Sequence, residues 1–185
     1  GTLKSDYNDI FLTNGAFVSS SYDSLSRWAR DTGQDRYSLS HDPLFHNPAA
    51  GDFHPKSMAG RYSWAISGFT NDTTTSPLID AGYSQAAYSN EPSPNGERMN
   101  IGIYGNSGQA SKTPTNTIFA VISMNDGGRA EGTNCVLRWV AGGNATGQTV
   151  RLEFSGNGGS SWQLVATGIS ASVESYTWDT TSYAS

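Results

Sequence analysis

The chain is 185 residues and 19.7 kDa, with 16 acidic against 11 basic side chains and a formal net charge of −5. That balance argues against nucleic acid and anionic membrane surfaces as partners, since both need a cationic face, and no apolar run approaches the roughly 20 residues of a membrane span. Mean hydropathy is −0.47, only 15% of residues are charged and 21 are glycine, which is the composition of an extracellular all-β chain that turns often and stays soluble on Ser, Thr, Asn and Gly. Cys135 is the only cysteine, so an internal disulfide is excluded. With no cation or helix N-terminus evident beside it, it reads as a small strand residue rather than a reactive thiol.

Residues 3–18, LKSDYNDIFLTNGAFV, alternate polar and apolar side chains around Tyr7, Ile10, Phe11, Leu12, Phe17 and Val18. With Asn14-Gly15 between the halves, two short strands and a turn are predicted. The one helix predicted covers residues 22–32. Asp23 or Ser21 caps it, Leu25, Trp28 and Ala29 form its buried face, and Gly33 stops it. DPLF (42–45), GDFH (51–54) and SPLID (76–80) then repeat a turn followed by two or three core side chains. Asp42-Pro43, Asn47-Pro48 and Ser76-Pro77 force extended backbone there. Residues 76–112 continue as tight turns around the apolar pairs Leu78, Ile79, Met99, Ile101 and Ile103, a pattern of coils wound on one another.

Residues 106–117, NSGQASKTPTNT, hold almost nothing apolar and read as the end of the coils and a linker. Beyond it IFAVIS (118–123), CVLRWVA (135–141), TVRLEFS (149–155), WQLVA (162–166) and SYTWD (175–179) are strands at regular intervals, with Trp139, Trp162 and Trp178 as core rings. Such spacing predicts an antiparallel sandwich. One more strand is expected after TWD, so the sandwich reads as incomplete, with an edge open to another chain. The chain begins at Gly1 in mid-pattern, as a mature or excised piece of something longer would.

Two polar clusters hold residues capable of chemistry. His41, Asp42, His46, Asp52 and His54 fall close together in HDPLFHNPAAGDFH, but their spacing matches no metal signature, and Asp42 is already explained as a turn former. Asp80, Glu91, Glu97 and Arg98 form a second cluster, in which Arg98 is expected to satisfy carbonyls or to pair with Asp80 or Glu91. No catalytic residue and no metal ligand is assigned. Aromatic faces match the apolar face of a pyranose, and RYSWAISGF (61–69), although it also reads as an ordinary strand, supplies Tyr62 and Trp64. These two, with Tyr83 and Tyr88, are the candidate carbohydrate-binding residues. Asn71-Asp72-Thr73 and Asn144-Ala145-Thr146 match the glycosylation acceptor pattern and mark surface loops.

SPLIDAG (76–82) followed by YSNEPSPNGERMNIGIYGNSGQASK (88–112) resembles the closing coils of right-handed parallel β-helix proteins of bacterial secreted and surface type. DPLF and GDFH resemble the lines that precede that ending, and the Trp28 helix with TGQD (32–35) a common insertion in the last full coil. Ile103 stands where alanine is usual. LRWVAGG (137–143), VRLEFSGNGGSSW (150–162) and YTWDT (176–180) resemble the fibronectin type III or immunoglobulin-like modules that follow such solenoids. Residues 155–162 also resemble an Asp-box turn, with Asn157 in place of the usual Asp. That turn is a structural device without catalytic role in the families that have it.

The fold expected is therefore all-β: a short right-handed parallel β-helix segment over residues 1–112 with one helical excursion, a linker at 113–117, and a small antiparallel β-sandwich, truncated, over 118–185. The resemblance implies a non-catalytic structural or adhesive segment of a large secreted or cell-surface bacterial protein, such as a surface-layer or cell-wall component. Its partners would be the rest of the parent polypeptide or a second copy. The alternative is the C-terminal part of an extracellular carbohydrate-active β-helix enzyme, a polysaccharide lyase or glycoside hydrolase, or a polysaccharide-binding segment. Such enzymes often carry Ca²⁺ in grooves of their central coils, beyond which the terminal coils lie; no cofactor is assigned to this chain.

Overall fold

The computed structural model describes residues 4–13, 21–116, 118–123, 133–143 and 145–183. Among them the regular elements are mostly strands, with one α-helix and small antiparallel sheets. Helix α1 (Leu25–Thr32) starts at Ser24, whose extended backbone lets its hydroxyl accept from Arg27 N at 3.2 Å. Ser24, not Asp23 or Ser21, is thus the cap, and the helix begins three residues later than the apolar spacing alone suggests. Gly33 ends it at φ 74°, donating to Ala29 O, a left-handed position that glycine takes without strain.

Two hairpins follow. Strands β1 (Phe45–Asn47) and β2 (Asp52–Pro55) pair across a 3₁₀ turn at Pro48–Ala50, and β3 (Arg61–Ser63) pairs with β4 (Gly68–Thr70). RYSWAISGF is therefore a hairpin rather than one strand. The strand pairings among the described residues are antiparallel, and the one parallel contact is an isolated bridge between Asp9 and Leu39. Residues 4–13 form no strand of their own, and the Asn14-Gly15 turn with Phe17 and Val18 lies outside the described residues.

This loop-rich half holds its buried backbone by hydroxyls instead of ladders. Ser57 donates to Lys112 O at 2.5 Å, Ser76 to Pro43 O at 2.7 Å and Ser111 to Pro55 O at 2.5 Å. All three serines are fully or almost fully buried. A buried carbonyl left unpaired costs as much as a lost hydrogen bond, so small hydroxyl residues at these points substitute for a sheet. Leu78 and Ile79 are core residues, at 1% and 0% exposure, whereas Ile103 is 76% exposed. It sits on a turn closed by Gly105 N to Gly102 O at 3.1 Å, which swings its side chain outward.

The C-terminal half contains β5 (Ile118–Val121), β6 (Asn134–Gly142) and β9 (Ser175–Asp179) as one three-stranded antiparallel sheet, in the order β5-β6-β9. Strands β7 (Thr149–Phe154) and β8 (Gln163–Ser170) form a separate hairpin. The hairpin and sheet meet where Phe154 packs on Trp178 at 5.2 Å and both rings touch Tyr183. Trp139 and Trp178 are buried, but Trp162 is 60% exposed. It lies beside the turn in which Asn157 accepts from Ser161 N at 2.9 Å, so it covers a surface turn and is not part of the core. Asn144 is outside the described residues.

One hydrophobic cluster draws on both halves: Leu39, Leu78 and Ala81 pack with Ala120, Ile122 and Val140. Of the segment read as a linker, Thr113 and Pro114 are buried.

Candidate functional site

Three polar or aromatic assemblies carry the chemistry-bearing residues. The first lies where the two halves meet. The Asp80 side chain is fully buried and accepts from Thr113 Oγ1 and from Gly143 N, each at 2.8 Å. Burial pushes its carboxyl up to about 7 against those two donors, with Glu91 adding to the rise and Arg98 opposing it. Glu91 Oε1 accepts from Asn100 N and Asn106 N, and burial raises this carboxyl too. Arg98 donates to Gly82 O at 2.7 Å and pairs with Glu174 instead of Asp80 or Glu91. Glu174 also accepts from Ala141 N at 3.1 Å. Two glycines make room for Asp80: a Cβ on Gly96 would stand 2.0 Å from its Oδ2, and one on Gly142 would stand 2.5 Å from its Cβ. Asp80, Arg98 and Glu174 bond across the two segments, while Glu91 bonds within its own, and among the described residues Glu91 Oε2 and Arg98 Nη2 are buried without a hydrogen-bond partner.

The second assembly surrounds His54, whose ring is fully buried. Its Nδ1 lies 2.6 Å from Asp52 Oδ1. Burial disfavours the Asp52 charge, but the hydrogen bonds from His54 outweigh it and hold Asp52 below the usual carboxylate range. Arg61 spans Asp52 and Asp72, at 4.0 and 3.2 Å. The His54 ring stacks on Tyr104 at 3.6 Å and meets Trp64 edge-on at 5.2 Å and Tyr62 at 5.8 Å. An imidazole oriented by a carboxylate has the pairing of a general base, yet these rings seal it from solvent. Among the described residues Nε2 has no hydrogen-bond partner. His46 is exposed on the strand paired with that of Asp52 and His54 and contributes to holding Asp52 low, and among the described residues no three His, Cys, Asp or Glu side chains gather as metal ligands do. Trp64, half exposed, presents the accessible ring here.

The third is an open groove of about 850 Å³ between residues 4–11 and residues 78–102. Leu78, Asn100 and Ile101 line it together with Tyr7, Phe11 and Tyr83. Tyr7 stacks on Tyr37 at 5.5 Å with the planes 6° apart, and touches Tyr83 at 5.3 Å. The charged side chains lining it are Lys4, Asp6 and Asp9. Asp6 Oδ1 accepts from Tyr7 N and Tyr37 N, and Asp9 Oδ1 from His41 N. Burial pushes Asp9 up to about 6, and burial with the adjacent Asp6 charge pushes Tyr7 up to about 12.

The structure thus separates the four aromatic residues chosen from the sequence. Tyr62 and Trp64 belong to the His54 assembly, Tyr83 to the groove, and Tyr88 to neither; the Tyr88 carbonyl accepts from Glu91 N. Tyr7, Asp6 and Asp9 are not among the site residues that the sequence predicts. The polar run Asp6-Tyr7-Asn8-Asp9, rich in turn formers, is the signal that a loop rather than a strand stands there. Among the described residues no helix is long and apolar enough to cross a membrane. No family model matches the chain, and no curated protein or solved structure matches it either.

Proposed function

We propose that this chain is a stiff structural or adhesive segment of a secreted or cell-surface bacterial protein, built from the closing windings of a right-handed solenoid and a sandwich module. The observation that carries this is the junction, where buried Asp80 and Arg98 with half-buried Glu174 tie residues 80–113 to residues 141–174 while the hydrophobic cluster crosses the same boundary. A segment that transmits load or holds a fixed geometry needs a join that does not flex. The parallel bridge at Asp9 and the serine hydroxyls linking successive loops support the solenoid part, and the contact of Phe154 with Trp178 supports the sandwich part. Exposed Trp162, Leu164 and Val173 support contact with the rest of a parent polypeptide or with a second copy. The test is calorimetry beside a polysaccharide turnover assay. One cooperative unfolding transition without release of products supports the proposal, whereas two resolved transitions or turnover by the chain itself overturn it.

A second reading, polysaccharide binding, is favoured by one observation: the aromatic-lined groove of about 850 Å³ falls within the range of small-ligand sites, about 300–1,000 Å³. Saturable retention in a polysaccharide-containing gel checks it.

A further inference from the structure

We propose that the groove between residues 4–11 and 78–102 binds a neutral oligosaccharide, with sugar rings lying on Tyr7 and Tyr83 and hydroxyls donating to Asp6 and Asp9. The inference rests on the second reading above and names its site and ligand class.

Three features of the groove converge on this ligand. Its walls offer ring faces, Tyr83 being 45% exposed and Phe11 40%, and a pyranose presents a matching apolar face of C–H groups. Its polar atoms are fixed acceptors. One oxygen of Asp6 and one of Asp9 are held by backbone N–H groups of Tyr7, Tyr37 and His41, which orients the second oxygen of each, and among the described residues that second oxygen has no hydrogen-bond partner. Carboxylates set beside ring faces suit hydroxyl donors. The charge there is mixed, with one ammonium, Lys4, against two carboxylates, so a polyanion meets Asp6 and Asp9 and a polycation meets Lys4. A neutral chain meets neither penalty.

The backbone adds a further sign. Tyr7 is held at φ 56°, a left-handed conformation uncommon for a bulky side chain. The bond from its N–H to Asp6 Oδ1 and the stack on Tyr37 keep the ring in place. Strain retained at a half-buried aromatic residue that lines the groove sits where pre-organisation for a ligand would place it.

The test is isothermal titration of the full chain with cellohexaose, xylohexaose, mannohexaose and maltohexaose, alongside hexagalacturonate and a glucosamine hexamer. At least one neutral hexasaccharide is expected to bind saturably. Tyr83→Ala is expected to weaken it about tenfold, the loss of one stacking face, while Tyr83→Phe and Trp64→Ala leave it within about twofold. Asp9→Asn weakens it as well, with the far-UV spectrum unchanged. Should Tyr83→Ala fail to fold, tyrosine ring resonances of the unmodified chain give the same readout, with Tyr7 and Tyr83 shifting on titration. No binding of any neutral hexasaccharide sinks the polysaccharide reading as a whole. Binding that survives Tyr83→Ala and disappears in Trp64→Ala keeps that reading and overturns the groove. Tighter binding of either charged hexamer overturns the ligand class.

Discussion

Raising the pH from about 5 to about 8 is expected to destabilise the fold through one buried carboxylate, and Asp80→Asn to remove most of that dependence. Asp80 has no exposed surface, and burial lifts its carboxyl from 3.8 to about 7. The folded protein therefore holds this proton more tightly than the unfolded chain does. Its stabilising contribution is fully present below about pH 4 and is lost as pH rises through about 7. At about 1.4 kcal/mol per pH unit, the full titration is on the order of 4 kcal/mol, of which about 2.5 kcal/mol falls between pH 5 and pH 8. The groups facing Asp80 set the size of the effect: the Thr113 hydroxyl and Gly143 N–H favour the charged form, as does Arg98, and Glu91 opposes it.

The asparagine variant keeps the shape and loses the titration. Its amide oxygen can accept from the Gly143 N–H while its NH₂ group donates to the Thr113 hydroxyl, which accepts as well as donates, so both contacts are kept and any remaining cost does not change with pH. Urea midpoints for both proteins at several pH values give the answer as a difference profile. Subtraction matters because Asp9 and Glu91, also raised by burial, push the same way, while Asp35 and Asp52, held low, act only at more acid pH. A wild-type profile that gains stability from pH 5 to pH 8, or an Asp80→Asn profile with the wild-type slope, would refute the assignment.

Removing either partner of the Arg98–Glu174 pair is expected to cost about 3–5 kcal/mol, because a buried charge is left behind. The double variant should cost less than the sum, and a cycle of denaturation midpoints that proves additive counts against the pair. Gly96→Ala is expected to lower stability by about 3 kcal/mol or more, since its Cβ would overlap the Asp80 carboxylate at a position with φ 56°. Gly108→Ala, with nothing within 4 Å, serves as the control and should stay within about 0.5 kcal/mol in the same thermal melts. Trp64→Ala should leave the melting temperature lowered by only a few degrees, its ring being half exposed, whereas Tyr104→Ala uncovers His54 and should lower it further.

The two halves differ in how much of them could be read in advance, and the reason is physical. Strands β5 to β9 follow alternation and turn residues closely, because a sheet with one covered face writes a period of two into its sequence. Trp162 broke that pattern by standing at the rim of a turn, which alternation does not register. In the N-terminal half the buried backbone is satisfied by Ser57, Ser76 and Ser111 reaching carbonyls more than 30 residues away. Such bonds leave no period, so the sequence shows turns and apolar pairs but not which loops touch. The antiparallel hairpins of β1–β2 and β3–β4 were hidden for the same reason.

The polar cluster of Asp80, Glu91 and Arg98 was visible, but its counter-charge was not: Glu174 lies 76 residues from Arg98. That distance decides how the cluster is to be understood. A carboxylate raised to about 7 and a buried arginine look like catalytic groups when read alone. Once Glu174, Thr113 and Gly143 are placed around them, both Asp80 oxygens and Arg98 Nη1 are seen to bond at the join between segments. The groove presents the converse case. Tyr83 stood out as an aromatic residue, whereas Tyr7, Asp6 and Asp9 fell within what read as a strand, and nothing local in the sequence brings residues 4–11 beside residue 83. Buried charge in this chain therefore marks architecture, and the proposed ligand site lies instead where Asp6 and Asp9, held by backbone N–H groups, stand beside the half-exposed ring of Tyr83.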